Sequence, residues 1–132
     1  MKFMLMMNAA RGSGEYAVNA WKPEELNAHI GFMHALNKEL KSAGEFVLAE
    51  GLAPPAAAKL VRAGKNGTPP VTDGVFPEAK EFLAGFWIVD VDRAERAYEI
   101  AGKVSLAPGP GGKPLFIPVE VRQVMSAPST KG

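Results

Sequence analysis

Residues Val71–Val91 read VTDGVFPEAKEFLAGFWIVDV, and the parsing of this stretch decides the fold. Asp73 and Gly74 form a turn signal. The charged segment Pro77–Leu83 reads as a linker. Gly85–Val91 is then the most apolar strand candidate in the chain, with apolar side chains to both sides until Asp90. Successive side chains of a strand point to opposite faces, so a strand apolar on both must be covered on both. The opening MKFMLMM has the same property. Phe3, Leu5 and Met7 point one way, and Met4 and Met6 the other.

Working outward, Asn8–Trp21 lacks any period and reads as a loop, with Tyr16 and Trp21 available to fold back. Pro23 suits the first position of a helix, and Glu24 and Glu25 favour its positive end. Leu26, Ile30, Met33, Leu36, Leu40 and Ala43 recur at spacings of three and four, which predicts a helix to about Ala43, stopped by Gly44. Phe46–Ala49 follows as a short buried strand. Lys59–Arg62 and Val71–Thr72 form a small hairpin, held to a sheet edge by Pro69 and Pro70. Asp92 is placed to cap a second helix, with Ala94, Ala97, Tyr98 and Ala101 inward and Gly102 at its end. Val119–Val124 closes the chain as a strand.

The order strand, helix, strand, hairpin, strand, helix, strand predicts an α+β fold. It is the ferredoxin-like split βαβ plan, with two helices on one face of an antiparallel sheet and an added edge hairpin. Helices cover one face only, so the expected cover for the second is a twin sheet, in a two-fold homodimer that closes a dimeric α/β barrel. One domain is expected over residues 1–125, with a frayed tail over 126–132.

Composition excludes several function classes. With 15 basic against 14 acidic residues among 132, the net charge of +1 offers no field for nucleic acid or an anionic membrane surface. There is no cysteine, which removes disulfides, thiolate metal sites and thiol nucleophiles. The apolar start is interrupted by Asn8 and Arg11 too early for a secretory segment, and no run approaches the roughly 20 residues of a membrane span. A cytoplasmic protein is expected.

At VTDGVF the chain resembles the YCII-related superfamily, in its DGPF-motif branch. The similarity also covers MKFMLMM, GEFVLAEGLAP (Gly44–Pro54), EAKEFLAGFW (Glu78–Trp87) and VEVRQV (Val119–Val124). It implies a ferredoxin-like protomer paired through its sheet, in agreement with the strand faces. The motif's proline is Val75 here, the usual ETKE is EAKE, and the Pro expected after the final Arg is Gln123. Some relatives pair a helix histidine with an aspartate later in the same helix. The helix containing His29 has no aspartate, so that pair is not carried over.

Each candidate site residue has two readings. His29, in line with Met33, Leu36 and Leu40, is a hydrogen-bonded core histidine or an acid/base in a cleft. His29 and His34 are five apart, and the i, i+4 spacing of a helical metal pair is missed by about 100°; no metal or cofactor is expected. Asp73 is a turn residue or a carboxylate at a cleft mouth. Glu50 is a solvated strand end or shares that mouth. Glu120 and Arg122, on one face of the last strand, form a surface ion pair or present Arg122 to an anionic ligand. Trp87 is core or a stacking surface. The expected function is a homodimer binding a small organic molecule, anionic in the leading reading, with cofactor-free acid/base chemistry by Asp73, Glu50 and His29, and with Arg122, Trp87 and Glu120 as ligand contacts. The alternative is a non-enzymatic regulatory module acting in trans with an extracytoplasmic-function sigma factor, a setting the family resemblance implies.

Overall fold

The computed structural model describes residues 1–10, 21–67, 69–73 and 81–125. The expectations for Tyr16, for Gly74–Lys80 and for the tail from residue 126 lie outside these residues.

A four-stranded antiparallel sheet has the order β2–β5–β1–β6, from β1 (Lys2–Ala10), β2 (Phe46–Gly51), β5 (Glu81–Asp90) and β6 (Val119–Gln123). The helices are α1 (Pro23–Ser42) and α2 (Ala94–Ser105). The architecture is α+β, an open sheet rather than a closed barrel, and its strand order is that of the expected split βαβ plan. Among the described residues no helix is long and apolar enough to cross a membrane.

The two strands read as apolar on both faces, β1 and β5, are the central pair, with Leu5 opposite Trp87 and Met6 opposite Phe86. On the helix side, Phe3, Leu5, Met7, Trp87 and Val89 bury against Leu36, Leu40, Ala97, Ile100, Ala101 and Val104. Burying a large apolar side chain contributes about 1.5–3 kcal/mol, so this layer carries much of the stability. On the other side the cross-strand rows are Leu48–Ile88–Met4–Arg122 and Glu50–Phe86–Met6–Glu120. Met4, Met6, Phe86 and Ile88 there are half-buried.

Helix α1 ends in a Schellman motif: Gly44 takes φ 72°, with Glu45 N donating to Leu40 O at 2.9 Å and Gly44 N to Lys41 O at 3.1 Å. Helix α2 departs from expectation at both ends. It begins after Arg93 with no side-chain cap, so Asp92 does not fill that role, and it runs through Gly102 to Ser105. Burial of Val104 beside Ile100 and Ala101 outweighs the roughly 1 kcal/mol penalty of a helical glycine.

Four further expectations are corrected. Strand β1 continues through Asn8 to Ala10, because it pairs with Glu81–Leu83, and that same pairing makes the C-terminal part of the supposed charged linker the start of β5. The hairpin of β3 (Lys59–Val61) and β4 (Val71–Asp73) is its own two-stranded sheet instead of an edge of the main one. The α1 stripe is buried at Leu36 and Leu40, but Ile30 is 43% exposed. The reason is a cleft under the N-terminal half of the helix.

Candidate functional site

The cleft, about 420 Å³, opens between α1, from Leu26 to Asn37, and the ends of β2 and β5. Leu26, Met33, Ala49, Phe82, Ala84 and Trp87 supply apolar wall, His29, His34 and Asn37 supply polar groups, and Glu50 borders the cleft from a β2 position paired with Phe86, in a row that faces away from the helices. A β-bulge shapes this end of β5. Met7 pairs with Gly85 and Asn8 with Leu83, so Ala84 is skipped in the register. One extra residue reverses the alternation of the strand. Beyond the bulge, Phe82 and Ala84 are the lining residues, whereas before it the core-facing set was Gly85, Trp87 and Val89. Gly85 permits the close approach of β2 here, since a Cβ at this position would stand 3.0 Å from the Glu50 carbonyl oxygen.

His29 is 7% exposed and shares the cleft wall. Its Nδ1 lies 2.9 Å from the Pro108 carbonyl, which only accepts, so Nδ1 carries the proton and donates. In the neutral ring Nε2 is then the basic nitrogen. Trp21 packs edge-on against the imidazole at 5.2 Å between centroids.

The loop that supplies Pro108 is held a second time. Gly111 N donates to Glu25 Oε2 at 2.5 Å, while Glu25 Oε1 accepts from Lys22 N at 2.9 Å. These backbone donors, Gly111 first, hold the Glu25 carboxyl below its ordinary range. Loop and helix are thus clasped at Glu25 and at His29, one turn apart.

Trp87 is buried at the cleft floor and donates its indole N–H to Asn37 Oδ1 at 2.8 Å. It is at once core and cleft wall. Asn37, absent from the sequence-based candidates, had an available signal: a buried indole on a strand requires an acceptor, and the overlying helix offers Asn37.

His29 and Trp87 meet at this cleft, Glu50 borders it, and the other three candidates lie elsewhere. Asp73 ends β4, opposite Lys59, with which it forms an ion pair; its side chain is 87% exposed and does not line the cleft. Glu120 and Arg122 project from β6 on the face away from the helices, 3.8 Å apart and exposed, with Asn8 Nδ2 3.5 Å from Glu120. A two-pronged ion pair is remote from the cleft as well. Arg96 grips Glu45 with two hydrogen bonds of 2.8 Å and reaches Glu99 at 3.1 Å. The Arg96 hydrogen bonds hold the Glu45 carboxyl below its usual range, and Glu45 in turn raises the guanidinium. Among the described residues no group of three or more His, Asp or Glu side chains is arranged to hold a metal ion.

An uncharacterized protein, R00369 of Rhizobium meliloti (strain 1021), is 31% identical over 93 residues, which cover 70% of this chain and 74% of that protein. The YCII-related domain matches residues 1–109, from β1 through both helices and all of β5, and the chain belongs to that family.

Proposed function

We propose that the cleft under α1 binds a small organic molecule, with His29 as the proton-transfer group and Trp87 as the apolar floor. The observation that carries this reading is the convergence of a buried, tautomer-defined imidazole with an apolar cleft of about 420 Å³. That volume is in the range of small-molecule sites, which are mostly apolar with a few placed polar groups. No cofactor is invoked, because an imidazole suffices for proton abstraction or donation. Asp73, Glu120 and Arg122 are left outside the chemistry, as they stand away from the cleft.

The same proposal includes a homodimer formed through the open sheet face, where Met4, Met6, Phe86 and Ile88 present an apolar centre flanked by Glu50, Glu120 and Arg122. In the dimeric α/β barrel so formed, Glu120 and Arg122 become interface residues. We also assign the chain to the DGPF-type branch, on Asp73, Gly74 and Phe76. The dispersal of Glu50, Asp73, Glu120 and Arg122 away from His29 favours the second reading, a regulatory module acting in trans.

Thermal-shift screening against a broad set of small organic molecules tests the primary reading, since a bound ligand raises Tm in proportion to the logarithm of its concentration over Kd. Stabilisation that His29→Asn weakens is expected. Absence of any shift across the set overturns the ligand-binding role and leaves the regulatory one.

A further inference from the structure

We infer that Asn37 is a specificity-determining residue, and that the cleft selects uncharged, mainly apolar molecules carrying a carbonyl-type oxygen; this rests on the cleft being the ligand site. Hydrogen-bond direction is the starting point. An indole N–H only donates, so the 2.8 Å bond from Trp87 Nε1 fixes the Asn37 amide with its oxygen toward the indole. The amide nitrogen is thereby turned away from Trp87, on a residue that lines the cleft. Nδ2 makes no hydrogen bond among the described residues, and it brings two N–H donors to the cleft.

Trp87 is 5% exposed and held in the sheet between Leu5 and Ala49, so the core sets this orientation. A donor fixed beforehand loses little entropy when a ligand oxygen meets it.

The charge of that oxygen follows from the rest of the lining. Among the described residues the cleft wall includes neither Lys nor Arg. A ligand carboxylate would be desolvated against apolar wall without a counter-charge, which is costly. A ketone, ester, amide or similar oxygen is stripped of water far more cheaply. Asn37 stands eight residues beyond His29, about 12 Å along the helix axis at 1.5 Å per residue. A ligand with its oxygen at Asn37 therefore extends its apolar body past Met33 toward the imidazole.

The test uses an isosteric pair, acetophenone and α-methylstyrene, which differ by C=O against C=CH2, titrated into the full chain and followed by NMR. Asn37→Asp keeps an oxygen for the Trp87 indole but has no N–H to offer. Acetophenone affinity is expected to fall about tenfold in this variant, with α-methylstyrene within twofold of its wild-type value. In wild-type protein the Asn37 side-chain amide resonances should move with acetophenone and stay in place with α-methylstyrene, a readout that does not depend on the variant folding. Equal loss of both probes together with unmoved amide resonances overturns the role of Asn37 alone. Binding of neither probe overturns the cleft reading and this inference with it.

Discussion

His29 donates its Nδ1–H to the carbonyl of Pro108 at 2.9 Å, joining α1 to a loop 79 residues further along the chain. The bond serves fold and site together, and substitution separates the two. His29→Asn keeps an N–H near the Nδ1 position, so the protein should lose about 1 kcal/mol or less. His29→Ala leaves the Pro108 oxygen without its donor and opens a cavity beside Trp21, and should cost about 2–4 kcal/mol. Urea denaturation of the two variants measures the gap, and equal stability would show that the bond matters little to the fold.

Glu45 and Arg96 predict a specific acid response. The Glu45 carboxyl lies below its unfolded value, so the ion pair contributes fully above the ordinary carboxylate range and is lost as pH falls through the lower folded value. Stability of the wild-type chain should therefore decline from about pH 5 downward. Glu45→Gln should be less stable at neutral pH by about 2 kcal/mol, and its curve should be flatter in acid. Denaturation midpoints across pH 3–7 for both proteins, a range set by that same linkage, give the comparison.

Glu25 binds the Gly111 amide in the same charged form. Hydrogen exchange at Gly111 should be faster in Glu25→Gln than in wild type at neutral pH. The ratio should shrink toward one as pH falls through the lowered value of Glu25 and its carboxylate takes a proton. A ratio independent of pH would remove the carboxylate from the clasp.

The open sheet face makes the dimer testable. Ile88 lies opposite both Met4 and Leu48 at the centre of that face, pointing away from the helix core. Ile88→Glu should convert a wild-type dimer into a folded monomer at micromolar concentration, read by sedimentation, because it places two charges into an apolar interface. A wild-type protein that sediments as a monomer would end the proposal.

Gly85→Ala probes the close approach of β2 and β5. The added methyl would meet the Glu50 carbonyl oxygen at 3.0 Å, and backbone there cannot yield as a side chain does. A loss of about 1–3 kcal/mol is expected, with weakened ligand binding, measurable by denaturation and titration.

The sheet was legible in the sequence wherever period-two alternation met a two-sided apolar strand, as at Phe3–Met7 and Trp87–Val89. The bounds of α1 were legible too, because Pro23 and Gly44 act locally. Gly102 misled for a matching reason: its local stop signal lost to the burial of Val104, which depends on the sheet below. The hairpin was visible in its turn residues, but whether it joins the main sheet depends on hydrogen bonds that no residue type announces. Of the site, His29, Glu50 and Trp87 were found from helical spacing and strand ends. Asn37 was passed over because an asparagine on a helix reads as a solvent contact until the indole opposite it is known. The partner of His29 was invisible, since Pro108 belongs to a loop brought over the helix only by the tertiary fold.

The skipped residue at Ala84 separates two duties that one strand would otherwise have to share. From Gly85 onward, β5 must keep strict register with its neighbours, and a change there disturbs the whole core. Ahead of the bulge, Phe82 and Ala84 line the cleft. In the proposed ligand-binding role, substitution at those two positions would retune what the cleft accepts while the register from Gly85 onward stays constant.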